Sequence, residues 1–129
     1  MLAKDIMTKK VTTVGPKITA RELASIFTKH KISGVPVLDK KGRVAGIVSD
    51  GDILANKGKR VSSFMTKQII SVTEDAPVEE IANLMAAHQI KRVPVLNGEK
   101  LVGIVSRADV VRAIAMGKHI AMHTPIYDL

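Results

Sequence analysis

The first 116 residues say nearly the same thing twice. Met7-Thr8, Val14, Leu23-Ala24, Phe27, His30, Ile32 and Val35-Pro36-Val37-Leu38 return 58 positions later as Met65-Thr66, Val72, Ile81-Ala82, Met85, His88, Ile90 and Val93-Pro94-Val95-Leu96. After one deletion the offset becomes 57, so that Gly46-Ile47-Val48-Ser49 returns as Gly103-Ile104-Val105-Ser106 and Asp52 as Asp109. Self-similarity at a fixed period marks duplicated structural units that bury their apolar faces against one another. At 129 residues the chain is one domain's worth, so the copies are expected to be halves of a single fold. Two copies related by a pseudo-twofold would enclose two equivalent clefts. The segments are repeat 1 (residues 1–58), repeat 2 (59–116) and an unrepeated tail (117–129).

Within each copy the periodicity reads strand, helix, strand, strand, helix, a mixed α/β (α+β) fold. Val11–Val14 and Ile69–Val72 are short apolar strands. Thr19 with Glu22 forms a capping box ahead of a helix whose buried face is Leu23, Ile26, Phe27 and His30. In repeat 2 the helix is entered through Pro77, a residue suited to a first turn, and its face is Ile81, Leu84, Met85 and His88. Hairpins follow, Val35–Leu38 with Arg43–Val48 and Val93–Leu96 with Lys100–Val105. Asn97-Gly98 is a tight-turn signal, and the deletion falls in this turn, where a length change is cheapest. A second helix is expected near Gly51–Ala55 and near Ala108–Met116.

Composition narrows the function classes. There is no cysteine, which removes disulfides, thiolate metal sites and thiol nucleophiles. No apolar run approaches a membrane span and no signal-peptide pattern appears, so a cytoplasmic protein without membrane contact is expected. The net charge of +8 sits in one half: residues 1–60 hold 13 Lys/Arg against 5 Asp/Glu, and residues 61–129 hold 7 of each. A basic half attracts anions, and nucleic-acid binding is the alternative function it supports. Phe27, Phe64 and Tyr127 are the whole aromatic complement, which argues against a base-stacking platform. No Ser-His-Asp order, Cys-His pair or phosphate-binding Walker loop is present, and an enzyme is not expected. His119 and His123 have a chelating i, i+4 spacing but no evident third ligand, so no metal is expected.

Chemistry concentrates at Gly46-Ile47-Val48-Ser49-Asp50-Gly51-Asp52 and Gly103-Ile104-Val105-Ser106-Arg107-Ala108-Asp109. Each leaves a strand and enters a helix, with Ser and Asp at i, i+3. The spacing describes a capping box. It also describes a ligand corner, since a helix N-terminus offers N–H groups to a phosphate and a carboxylate beside it can take both hydroxyls of a ribose. Gly46 and Gly103 permit close approach by a backbone or a ligand. Before each proline the copies differ: Ile32-Ser33-Gly34 in one, Ile90-Lys91-Arg92 in the other, and the two cations suggest an anion subsite.

Asp-Ile-Met-Thr, Gly-Val-Pro-Val-Leu-Asp and Gly-Ile-Val-Ser-Asp-Gly-Asp-Ile, in that order and echoed in the second half, resemble a tandem pair of CBS domains (named after cystathionine β-synthase), also called a Bateman module, over residues 3–115. The resemblance implies an adenosine-ligand sensor with two clefts between pseudo-twofold-related repeats. It implies Asp52 and Asp109 on ribose hydroxyls and Ser49 and Ser106 near phosphate. Ile32, Ser33 and Gly34, and Ile90, Lys91 and Arg92, would line the base pocket or reach the phosphate. It pairs Ile32–Gly34 with Asp109 and Ile90–Arg92 with Asp52. The expected ligands are AMP, ADP or ATP, with S-adenosylmethionine as a further candidate, bound as regulators and not as catalytic cofactors. The expected partners are a second copy in a disc-like homodimer and a regulated protein, as in energy sensing. Ser33-Gly34 departs from the cationic pattern, so the two clefts are expected to differ.

Overall fold

The computed structural model describes residues 1–116. The tail, with His119 and His123, lies outside the described residues. The elements in chain order are α1 (Ala3–Ile6), α2 (Ala20–His30), β1 (Gly34–Leu38), β2 (Val44–Ser49), α3 (Asp50–Ala55), a 3-10 turn at Val61–Ser63, α4 (Val78–His88), β3 (Arg92–Asn97), β4 (Lys100–Ser106) and α5 (Arg107–Ala115). The sheets are two antiparallel hairpins, β1–β2 and β3–β4.

The compact units are not the sequence repeats. One consists of Lys10–Ile70 with Asn97–Leu101; the other takes Met1–Lys9, Ser71–Leu96 and, among the described residues, 102–116. The leading segment of each repeat therefore packs with the body of the other. Thr8 and Ile104 exchange backbone hydrogen bonds at 2.9 and 3.0 Å, and Thr66 and Ile47 do the same at 2.9 Å. Ala3 N–H donates to the Ala76 carbonyl as Val61 N–H donates to that of Ile18, both at 2.8 Å. Ala3 and Val61 are fully buried as a result.

Each unit has its own core. Val14, Leu23, Phe27, Val35, Val37, Val48 and Val61 form one. Val72, Ile81, Met85, Val93, Val95 and Val105 are the heart of the other. The helix faces read from periodicity supply Leu23 and Phe27 to the first and Ile81 and Met85 to the second. His30 and His88 do not join them. Each ends its helix and is exposed, because the next residue, Lys31 or Gln89, turns left-handed (φ 54° and 53°) and takes the chain away from the buried face. The capping box at Thr19 is present: Glu22 N–H donates to Thr19 Oγ1 at 3.2 Å and Thr19 N–H to Glu22 Oε1 at 3.1 Å.

The expected first strands, Val11–Val14 and Ile69–Val72, are reduced to single bridges, Val14 to Val37 and Val72 to Val95. Val14 N–H donates to the Pro36 carbonyl and the Val14 carbonyl accepts from Leu38 N–H, and Val72 bonds in the same way to Pro94 and Leu96. The next rung of a parallel ladder would need an N–H from Pro36 or Pro94, which proline lacks.

The β1–β2 turn is organised by Asp39. Its Oδ1 accepts from the N–H groups of Lys41 and Arg43 at 2.9 Å, and its Oδ2 from Arg43 Nε at 3.1 Å. The Arg43 N–H, followed by that of Lys41 and the guanidinium, holds the Asp39 carboxyl below its ordinary value against a smaller opposing effect of burial. A depressed carboxylate stabilises the fold above its unfolded pKa and loses that contribution as pH falls through the folded value. Asp39→Asn is thus expected to flatten the acid limb of stability against pH, read by urea titration between neutral and acid pH. An unchanged acid limb would deny Asp39 that role.

Candidate functional site

Both Ser–Asp corners form, at the β2–α3 and β4–α5 junctions, and both are capping boxes. Ser49 N–H donates to Asp52 Oδ2 and Ser106 N–H to Asp109 Oδ2, each at 2.8 Å. The hydroxyls differ. Ser106 Oγ accepts from Asp109 N–H at 3.1 Å, whereas Ser49 Oγ donates to Asp52 Oδ2 at 3.1 Å.

The segment before each proline lies at the corner of its own unit. Gly34 pairs with Ser49 across β1–β2. The Ser33 carbonyl accepts from Asp50 N–H at 2.9 Å, and the Lys91 carbonyl from Arg107 N–H at 2.8 Å. Ile32 and Ile90 are half-buried against their cores, and Lys91 is exposed. Ile32, Ser33, Gly34, Ser49 and Asp52 are thus brought together in one unit, and Ile90, Lys91, Arg92, Ser106 and Asp109 in the other.

The expectation of open helix N–H groups needs correction. The first N–H of α3 and of α5 is taken by the Ser33 or Lys91 carbonyl. The second N–H of α3, on Gly51, donates to Asp50 Oδ1 at 2.8 Å. At α3 the Asp50 carboxylate thus holds one N–H that a phosphate would otherwise meet. Repeat 2 has Arg107 where repeat 1 has Asp50, so its corner carries the opposite charge.

Gly46 and Gly103 are approached by methionine, not by backbone. A Cβ on Gly103 would lie 2.5 Å from Met7 Sδ, and one on Gly46 2.6 Å from Met65 Sδ. Sequence reasoning also missed a partner of Asp109. Arg112 Nη1 reaches its Oδ1 at 3.1 Å, and the Asp109 side chain is only 11% exposed. The i, i+3 spacing on α5 was the available signal. Repeat 1 has Ala55 at the matching position, so α3 supplies no such arginine to Asp52.

Among the described residues no three His, Asp or Glu side chains are grouped to hold a metal ion. No helix among them is long and apolar enough to cross a membrane.

The family model for the CBS domain matches residues 3–58 and again residues 61–116. The chain belongs to the CBS domain family. Its two CBS domains are 36% identical over 115 residues to L-aspartate semialdehyde sulfurtransferase of Methanocaldococcus jannaschii, covering 86% of this chain but 23% of that enzyme. They are 34% identical over 113 residues to CBS domain-containing protein YhcV of Bacillus subtilis, covering 82% and 80%. The fold matches the CBS domain pair of protein MJ0100, solved with 5′-methylthioadenosine and S-adenosyl-L-methionine, with TM-score 0.86, 35% identity and coverage of 92% and 98%. It also matches CBSX2 in complex with AMP, with TM-score 0.84, 29% identity and coverage of 92% and 98%.

Proposed function

We propose that this CBS pair is a regulatory module that binds an adenosyl ligand, AMP, ADP or ATP foremost and S-adenosylmethionine next, and passes the occupancy to a partner protein. One observation carries the reading: both repeats match a family in which the solved MJ0100 pair and CBSX2 hold adenosyl ligands, and both keep the Ser–Asp corner intact. Asp52 and Asp109 take ribose hydroxyls. A carboxylate with one oxygen committed to the backbone is held in a single orientation, which suits a diol needing two acceptors. Ser49 and Ser106 serve the phosphate end. Ile32, Ser33 and Gly34, and Ile90, Lys91 and Arg92, flank the base or the phosphate. Signalling requires a ligand with different affinity for two states of the module or of a homodimer. Sedimentation at micromolar concentration reads the dimer directly, and a monomer removes that part of the reading.

The test is thermal unfolding against adenosine ligands, guanine nucleotides and a short DNA duplex at two salt concentrations. Ligand at about 100 times its dissociation constant stabilises the fold by roughly 2.7 kcal/mol, several degrees in Tm. A shift with adenosine compounds alone supports the module. A shift only with DNA, lost at high salt, would replace it with the basic-surface alternative.

A further inference from the structure

The two corners share a backbone geometry and differ in what holds the second carboxylate oxygen. We infer that Arg112 is a specificity-determining residue that makes the Asp109 corner the weaker ribose acceptor of the two; the inference rests on the ligand-binding reading above. Ser106 N–H occupies Asp109 Oδ2, and Arg112 Nη1 occupies Oδ1. Asp52 has the first bond, and Ala55 stands where repeat 2 has Arg112, so its own helix offers no guanidinium to Oδ1. A ribose diol donates one hydroxyl to each oxygen. At Asp109 one of these hydroxyls meets an oxygen whose charge is already drawn toward a guanidinium. Arg112 is 65% exposed at its side chain, so it yields to a ligand at a modest cost and is screened by salt.

Isothermal titration with adenosine, which has the diol and no phosphate, isolates this effect. In the Asp52→Ala protein only the Asp109 corner remains. Arg112→Met, which keeps the stem and removes the charge, is expected to tighten that corner by about threefold, the scale of an exposed ion pair. Raising the salt concentration should tighten it in the Asp52→Ala protein and do little once Arg112→Met is added. A merely structural Arg112 would not produce that salt signature. In the Asp109→Ala protein, Arg112→Met should leave the Asp52 corner unchanged, while Ala55→Arg should weaken it by a similar factor. Unchanged or weaker binding on adding Arg112→Met to Asp52→Ala overturns the inference while leaving the ligand-binding reading intact. Where Asp52→Ala alone binds too weakly to detect, restored binding on adding Arg112→Met supports the inference and continued absence overturns it. Adenosine binding that survives loss of both Asp52 and Asp109 overturns the reading on which it rests.

Discussion

Leu23→Ala and Ile81→Ala are each expected to lower the unfolding free energy by about 2–5 kcal/mol, the range for deleting a large buried aliphatic side chain. Both side chains have zero exposure and sit at matched positions, one in each core. Each packs from the first long helix of its unit against the valines of the hairpin that carries a Ser–Asp corner. The loss has two parts: the transfer free energy of the deleted carbons and the cavity that a close-packed valine shell cannot collapse into. With a typical domain stability of about 5–15 kcal/mol, either change takes a large share. Urea unfolding measures it. A loss near that of an exposed substitution in either variant would mean that its core is not packed as described.

Gly103→Ala and Gly46→Ala are expected to destabilise by about 1–3 kcal/mol although each adds a single methyl group. The new Cβ would lie 3.1 Å from the Cβ of Met7 or Met65 as well as against the sulfur. A rotation of the thioether therefore does not clear it, and the leading segment itself must shift. That segment is held by the paired backbone bonds of Thr8 to Ile104 and Thr66 to Ile47. Combining Gly103→Ala with Met7→Ala should recover part of the loss, a coupling of about 0.5–3 kcal/mol in a double-mutant cycle. Additive effects would show that Met7 does not rest on Gly103.

The repeat, the helix faces apart from His30 and His88, the hairpins and both corners were legible because each has a local cause: a periodicity, a turn residue or an i, i+3 spacing. The exchange of leading segments was not. Met7-Thr8 and Gly103-Ile104 lie far apart in the chain, and their pairing depends on which repeat's strand has an open edge, which periodicity does not encode. The shortened first strands followed from Pro36 and Pro94, whose missing N–H was visible but whose ladder partner was not. At the site, Ser49, Asp52, Ser106 and Asp109 could be named from sequence. The Asp50 carboxylate on Gly51 and the Arg112 bond to Asp109 came only with side-chain positions.

The most direct test of the central claim is isothermal titration of AMP into the chain and into the Asp52→Ala, Asp109→Ala double variant, with circular dichroism showing that both are folded. Two charge-assisted hydrogen bonds per site are at stake, each about 1.5–3 kcal/mol. AMP should bind the unaltered chain and bind the double variant roughly a hundredfold or more weakly. Equal affinity in the two proteins would reduce both corners to helix caps and contradict the account.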